Sequence, residues 1–249
     1  LSPLLVGIVS RMQGYGDGTI DITGSLDQPE VNGRIKLIDA GCHIDYLNTF
    51  YTLSPSILID NQSISFENLV LIDTLNNNAA VEGKISHNRF KDFYLDLRMH
   101  PRDFLALATT SKDNDSFYGT AIANGLVTVK GPFKDIYLGI KAMTRKGTSL
   151  TIPLNRAATV KENDFIIFIT PPKEGEEEVV VEPEKKEKTN FALSLDVDAT
   201  PDASLKIILP SDLGTIEASG SGNVKLGTAT TEYLTMYGKY VLESGRYTI

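Results

Sequence analysis

Apolar and polar residues alternate along most of this chain. In the stretch Phe191-Ala192-Leu193-Ser194-Leu195-Asp196-Val197-Asp198-Ala199 every odd position is apolar. Phe93, Leu95, Leu97 and Met99 fall on one face, with Tyr94, Asp96, Arg98 and His100 on the other. Val31, Gly33, Ile35 and Leu37 alternate with Asn32, Arg34, Lys36 and Ile38, and Ile136, Leu138, Ile140 and Ala142 alternate with Tyr137, Gly139, Lys141 and Met143. A period of two is the strand period. It turns one face toward an apolar interior and the other toward water, as antiparallel sheets do. Turns rich in Gly, Asn, Asp and Pro separate roughly eighteen such segments, at the spacing of about 8–12 residues expected of all-β chains. Helical periodicity is confined to two short places. Leu4, Leu5, Ile8 and Met12 fit one face of an N-terminal helix. Pro101 fits the first turn of a second, running through Leu107. The expected class is all-β, with one antiparallel-rich sheet and one or two short helices.

Residues 171–190, PPKEGEEEVVVEPEKKEKTN, break the pattern. They are dense in Glu and Lys and open on two prolines. Such a segment cannot bury enough apolar surface to offset its ordering entropy, so a disordered acidic insertion is expected in an otherwise single β domain over 1–249. A solvated insertion is preferred to an acidic interaction tail, and Phe165–Ile169 and Phe191–Ala199 are expected to be neighbouring strands across it. A loose repeat also recurs: Gly24 to Val31, Gly83 to Phe93 and Gly131 to Ile136 each run from glycine through a polar turn with Pro or Phe into a new strand. It suits a chain that grows by adding hairpins.

Composition narrows the function. The 249 residues carry a net charge of -8, and no basic stripe exists to neutralise phosphates, so nucleic acid is not an expected partner. The single cysteine, Cys42, allows no internal disulfide. The apolar opening run is far shorter than the ~20 residues needed to span a bilayer, and no leader pattern precedes it. The chain starts without Met and stops inside an apparent strand, which suggests a piece of a longer protein.

Catalytic and metal motifs are weak throughout, and no catalytic residue, metal site or cofactor is expected. His43, His87 and His100 have no ligand at a zinc-like spacing. Asp113-Asn114-Asp115 lacks the Gly and Glu that a calcium loop needs, since Tyr118 and Asn124 occupy those positions. Gly14-Tyr15-Gly16-Asp17-Gly18 precedes a strand and not a helix, and it lacks a lysine, so a flexible turn is expected in place of a phosphate loop. Around Ser221 a nucleophile elbow would need Gly at 219, where Ser stands. Asp196 and Asp198 share a strand face that is the wet one.

The informative feature is collective. Ile35, Leu37, Leu95, Leu97, Leu138, Ile140, Leu193 and Leu195 each belong to an unbroken apolar row and are the candidate lining of an interior. A strand of seven residues spans about 23 Å, more than the ~15 Å of one leaflet's hydrocarbon. A curled sheet could therefore shelter acyl chains in a trough, or the rows could fill a core; alternation alone leaves both open.

The stretch Ile20-Asp21-Ile22-Thr23-Gly24-Ser25-Leu26-Asp27-Gln28-Pro29-Glu30-Val31-Asn32-Gly33-Arg34-Ile35 resembles a motif of the TamB family. Phe117-Tyr118-Gly119-Thr120-Ala121-Ile122-Ala123-Asn124-Gly125 and Gly147-Thr148-Ser149-Leu150-Thr151-Ile152-Pro153-Leu154 are similar to its Bacteroidetes branch, and Tyr240-Val241-Leu242-Glu243-Ser244-Gly245-Arg246-Tyr247 to its closing strand pair. The resemblance implies an elongated, curled, taco-like sheet with a hydrophobic groove, and no catalytic residues. It further implies a periplasmic segment of a protein anchored in the inner membrane. The implied role is shielding or conducting phospholipid for outer-membrane biogenesis, with a TamA-like Omp85 outer-membrane protein as partner. A docking module that accepts unfolded outer-membrane strands and a spacer with a filled core are the alternatives.

Overall fold

The computed structural model describes residues 9–25, 28–114, 117–154, 190–210, 213–228 and 234–249. Among these residues, sixteen strands form one sheet. They are β1 (Val9–Ser25), β2 (Gln28–Ile44), β3 (Thr49–Leu53), β4 (Ser56–Ile59), β5 (Ser63–Glu67), β6 (Val70–Ile72), β7 (Asn78–Asn88) and β8 (Lys91–Arg102). Then follow β9 (Phe104–Thr109), β10 (Tyr118–Pro132), β11 (Asp135–Thr144), β12 (Ser149–Pro153), β13 (Asn190–Ala199), β14 (Ser204–Ile208), β15 (Thr215–Thr228) and β16 (Leu234–Thr248). All pairings are antiparallel except β11 with β13 and β12 with β14. The antiparallel-rich all-β class expected from the alternation is what the chain adopts.

The long strands change neighbour along their length. β2 meets β4 through residues 33–36 and β3 through 40–44. β7 meets β5 through 84–86 and β6 through 78–80. β10 holds β8 and β11 with its C-terminal half, and β9 and β12 with its N-terminal half. β15 meets β13 through 222–227 and β14 through 215–219. Two rows thus lie side by side, a first with β4, β5, β11 and β13 and a second with β3, β6, β9, β12 and β14, joined by long strands that cross from one to the other.

Backbone irregularities sit where the crossing occurs, because an extra residue bends a strand. In β2, Asp39 has φ 49°. Opposite it in β1, the register shifts between Gln13 and Tyr15, and Gly14 has φ 118°. A Cβ on Gly14 would lie 2.5 Å from the Ala40 Cα, so only glycine lets the two strands approach there. The run Gly14–Gly18 is therefore not the flexible turn expected from its composition. It is the middle of β1, where close strand approach sets the glycine requirement. β7 bends at Gly83, and the β15–β16 register shifts between Ser219 and Gly220.

The second expected helix does not form, and the first lies mostly outside the described residues. Met12 lies in β1, and residues 1–8 fall outside the described residues. Pro101–Leu107 is the end of β8 and the start of β9. Pro101 pairs Ala79 on one side, and on its other side the β10 ladder has already ended at Met99, so the missing amide leaves no rung unfilled. Phe104, Leu105, Leu107 and Thr109 are all buried, so β9 shows the continuous apolar run that periodicity cannot separate from a helix. Among the described residues the helical element is a single 3-10 turn, Asp45–Leu47. Of the acidic stretch 171–190, only Asn190 is described, and it opens β13; Phe165–Ile169 also lies outside the described residues. All three copies of the loose repeat are hairpin tips, at β1–β2, β7–β8 and β10–β11, on the same edge of the first row.

The densest packing is local. Tyr51, Ala79 and Phe104 are 5%, 0% and 1% exposed and pack with Ile44, Leu71 and Met99. The Tyr51 and Phe104 rings stack at 4.9 Å. Burying each such ring is worth about 1.5–3 kcal/mol. The Tyr51 hydroxyl donates to the Leu105 carbonyl at 2.9 Å, and burial pushes its pKa up to about 12. Beside it, buried Asp73 accepts the backbone N–H of Leu105 at 2.6 Å and those of Leu75 and Asn77 at 2.8 Å each. One carboxylate thus ties the β6–β7 turn to β9.

Candidate functional site: an aliphatic face across the first row

Residues directly opposite in adjacent strands share a face, so the register can be followed across the sheet. Leu95 pairs Ile85, Ile85 pairs Ile64, and Ile64 pairs Ile59. Leu97 pairs Val129, which pairs Leu138, which pairs Leu193. Met99 leads through Val127, Ile140 and Leu195 to Leu226. Ile35 pairs Ile57, and Ile57 pairs Phe66. Leu37 is two residues from Ile35 on the same strand face and pairs Gly16. The eight candidates therefore lie on one face of one continuous sheet, brought together from β2, β8, β11 and β13. The strands between them contribute residues that the sequence reading did not name, including Ile57, Ile64, Phe66, Ile85, Val127 and Val129. Val127 and Val129 alternate with Thr128 and Lys130, so that signal was present. Ser56–Ile59 is too short and too uniformly apolar to show a period.

Burial separates this face from the packed cluster. Leu95 is buried at 9%, whereas Ile35, Leu37, Leu97, Leu138, Ile140, Leu193 and Leu195 are only half-buried. They are more exposed than Phe104, at 1%. The reverse face is polar and cross-linked. Arg34 meets Glu67 at 2.9 Å, and Lys225 meets Asp196 at 3.3 Å. Asn223 Nδ2 donates to Asp196 at 2.6 Å and to Asp198 at 2.9 Å, as suits a wet-face pair. The Asn223 hydrogen bond, with Lys225 behind it, holds the Asp196 carboxyl below its ordinary value.

Two polar clusters need a chemical reading. His43, taken from sequence as isolated, sits 2.9 Å by Nδ1 from Asp45 Oδ1 and 3.5 Å from the Ser10 hydroxyl. Serine, histidine and aspartate are together, but they do not make a nucleophile and base. Ser10 donates to Asp45, both contacts fall on the same ring nitrogen, and Nε2 faces Asn48 Oδ1 at 3.2 Å. Asn48 in turn donates to the Ala108 carbonyl at 2.8 Å, so the cluster clips the β2–β3 turn to β9. Asp113 accepts from the Thr110 amide at 2.7 Å and hydroxyl at 2.8 Å, which is turn capping. No group of three or more metal-ligating side chains occurs among the described residues. A hollow of about 490 Å³ beside the bend, bordered by Gln13, Asp39, Thr52 and Asn68, brings no reactive groups together.

A family model described as TamB C-terminal domain matches residues 67–249, well over half of the chain. The match begins at Glu67, so the motif at Ile20–Ile35 lies before it, and the other quoted motifs lie within it. No curated protein matches the chain, and no solved structure does.

Proposed function

The chain belongs to the TamB C-terminal domain family, and from that premise we propose that its aliphatic face shields or conducts phospholipid acyl chains in outer-membrane biogenesis. The observation that carries the reading is the half-burial of one aliphatic face unbroken from β2 to β15. A filled core would bury those side chains as fully as Phe104. Ten methylenes laid on such a surface contribute about 8 kcal/mol before ordering costs, without discrete polar contacts. This supports a non-catalytic carrier role. A periplasmic location, an inner-membrane anchor elsewhere in the protein and a TamA-like Omp85 partner belong to the same reading; they rest on the family, not on the geometry.

Native mass spectrometry of freshly purified protein tests it. Phospholipid is expected to co-purify with the wild type. Ile140→Asp and Leu195→Asp are expected to lose it while thermal unfolding shifts only modestly, since water reaches both positions. Ser194→Asp places the same charge on the opposite face and should retain lipid. If no phospholipid is retained and both inner-face variants unfold, the face is part of a core and the domain is a spacer.

A second reading has its own observation. β1 pairs only β2, and β16 pairs only β15, among the described residues. Their free flanks suit β-augmentation by an unfolded outer-membrane strand. A photo-crosslinker at Tyr237 or Tyr15, both exposed, would capture such a strand if the domain is a docking module.

A further inference from the structure

Three buried side-chain polar atoms have no hydrogen-bond partner among the described residues: the Thr49 and Thr109 hydroxyls and the His87 ring Nε2. His87 is 6% exposed, and its Nε2 has no hydrogen-bond partner among the described residues. Its other ring nitrogen, Nδ1, accepts the Phe90 backbone N–H at 3.2 Å, which puts the ring proton on Nε2. A buried N–H with no acceptor is costly and rare enough to need a reason. The ring lies in an aromatic group: Phe90 stacks on it at 4.4 Å, Phe93 meets it edge-on at 5.6 Å, and Phe93 stacks on Phe133 at 5.2 Å. His87 and Phe93 are two residues beyond Ile85 and Leu95 on the aliphatic face. The group therefore ends that face at the tips of the β7–β8 and β10–β11 hairpins.

The turn carrying Phe90 is strained. Asn88 pairs Lys91, which leaves Arg89 and Phe90 as a two-residue loop with φ 50° and 58°. That conformation favours Asn-Gly, and a bulky side chain holds it at a cost. From this strained turn the Phe90 ring stacks on the imidazole. Around the tip, Arg89 and Lys91 are exposed cations and Asp92 an exposed anion. On the neighbouring β4–β5 turn, the Asp60 carboxylate is engaged by the Gln62 and Ser63 amides and the Ser63 hydroxyl.

We propose that His87 is a headgroup contact of the groove: with Phe90 swung aside, its Nε2–H donates to a phosphate oxygen of a phospholipid whose acyl chain lies on the aliphatic face. The inference rests on the groove reading. Arg89 and Lys91 supply the charge that favours phosphate over an uncharged headgroup. Phe90 is the cover that shields the donor when the groove is empty.

The test compares two amphiphiles with the same chain, lauroyl lysophosphatidylglycerol and monolauroyl glycerol, by native mass spectrometry of the full chain. The wild type is expected to bind the phosphate-bearing lipid about tenfold more tightly, the worth of roughly one charge-assisted hydrogen bond. His87→Phe keeps the ring stack and removes the donor; it should shrink the preference to what Arg89 and Lys91 alone supply, while monolauroyl glycerol still binds. His87→Gln keeps an N–H donor and should retain part of the preference, with thermal unfolding reporting that both variants are folded. A preference unchanged in His87→Phe overturns the proposal and leaves the groove reading intact. Saturable binding of inorganic phosphate alone, lost in His87→Phe, overturns the lipid assignment in favour of a free-anion site. Failure of the wild type to bind either amphiphile overturns the groove reading, and this proposal with it.

Discussion

Replacing Asp73 by alanine tests the account of the packed cluster around Tyr51 and Phe104. The carboxylate accepts three backbone N–H groups: Leu105 at 2.6 Å on one oxygen, and Leu75 and Asn77 at 2.8 Å on the other. Hydrogen bonds to a charged acceptor are worth about 1.5–3 kcal/mol each, but the three losses are not equal. Leu75 is 54% exposed and Asn77 half-buried, so water can replace the carboxylate on the turn side. Leu105 is 6% exposed, so its N–H is left unsatisfied inside the protein. The expected loss is about 2–4 kcal/mol, read as a lower urea midpoint with an unchanged slope. Asp73→Asn keeps the volume but offers one acceptor oxygen where two are used, and its loss should approach that of alanine. Tyr51→Phe removes the hydroxyl that binds the carbonyl of the same Leu105 and should cost about 1 kcal/mol. Because both bonds fix one residue of β9, the double variant should lose less than the sum, with a coupling of about 0.5–2 kcal/mol. A loss within about 0.5 kcal/mol of zero for Asp73→Ala, or strict additivity, would refute the reasoning.

Two further outcomes follow from the same structure. Hydrogen bonds hold four carboxyls below their ordinary value of 3.8: Asp45 through Ser10 and then His43, Asp60 through Gln62 and Ser63, Asp113 through Thr110, and Asp196 through Asn223 and then Lys225. A depressed folded-state pKa contributes stability above the unfolded value and loses it as pH falls through the folded value. The urea midpoint should therefore hold from about pH 6 to pH 4 and fall on further acidification, less steeply in Asp60→Asn; a midpoint flat down to about pH 2.5 would contradict this. Gly83→Ala should destabilise by more than about 2 kcal/mol, because a Cβ there would lie 2.0 Å from the Asp96 carbonyl at a φ of 118°; a melting temperature equal to wild type would remove the bend argument.

What the sequence revealed and what it hid divide along physical lines. Rows such as Leu193-Ser194-Leu195 declare their face because one side meets water, and within each strand the lining candidates share a face because residues i and i+2 point to the same side. That they come together from β2, β8, β11 and β13 was not legible, since register is set by pairing between distant segments. The glycines at 14–18 look alike as flexible-turn residues or as close-approach residues until the neighbouring strand is known. β9 was taken for a helix because burial of both its faces erased the alternation.

The same erasure marks where the apolar side chains pack most densely. A strand with apolar residues on both faces, such as Phe104–Thr109, loses its period in sequence, and four of its six residues are buried in the structure. Strands such as β11 and β13 keep both the period and half-buried side chains. Under the proposed function, the second kind is the surface that lipid covers. The substitution pairs discriminate on this basis. At Phe104 a charge has no route to water and must unfold the domain, at a cost of several kcal/mol. At Ile140 the same charge meets solvent on one side, so it should spare the fold and remove what lies on the surface. Equal sensitivity to aspartate at Phe104 and Ile140 would mean that the two regions are one core, and the difference in exposure would then carry no functional meaning.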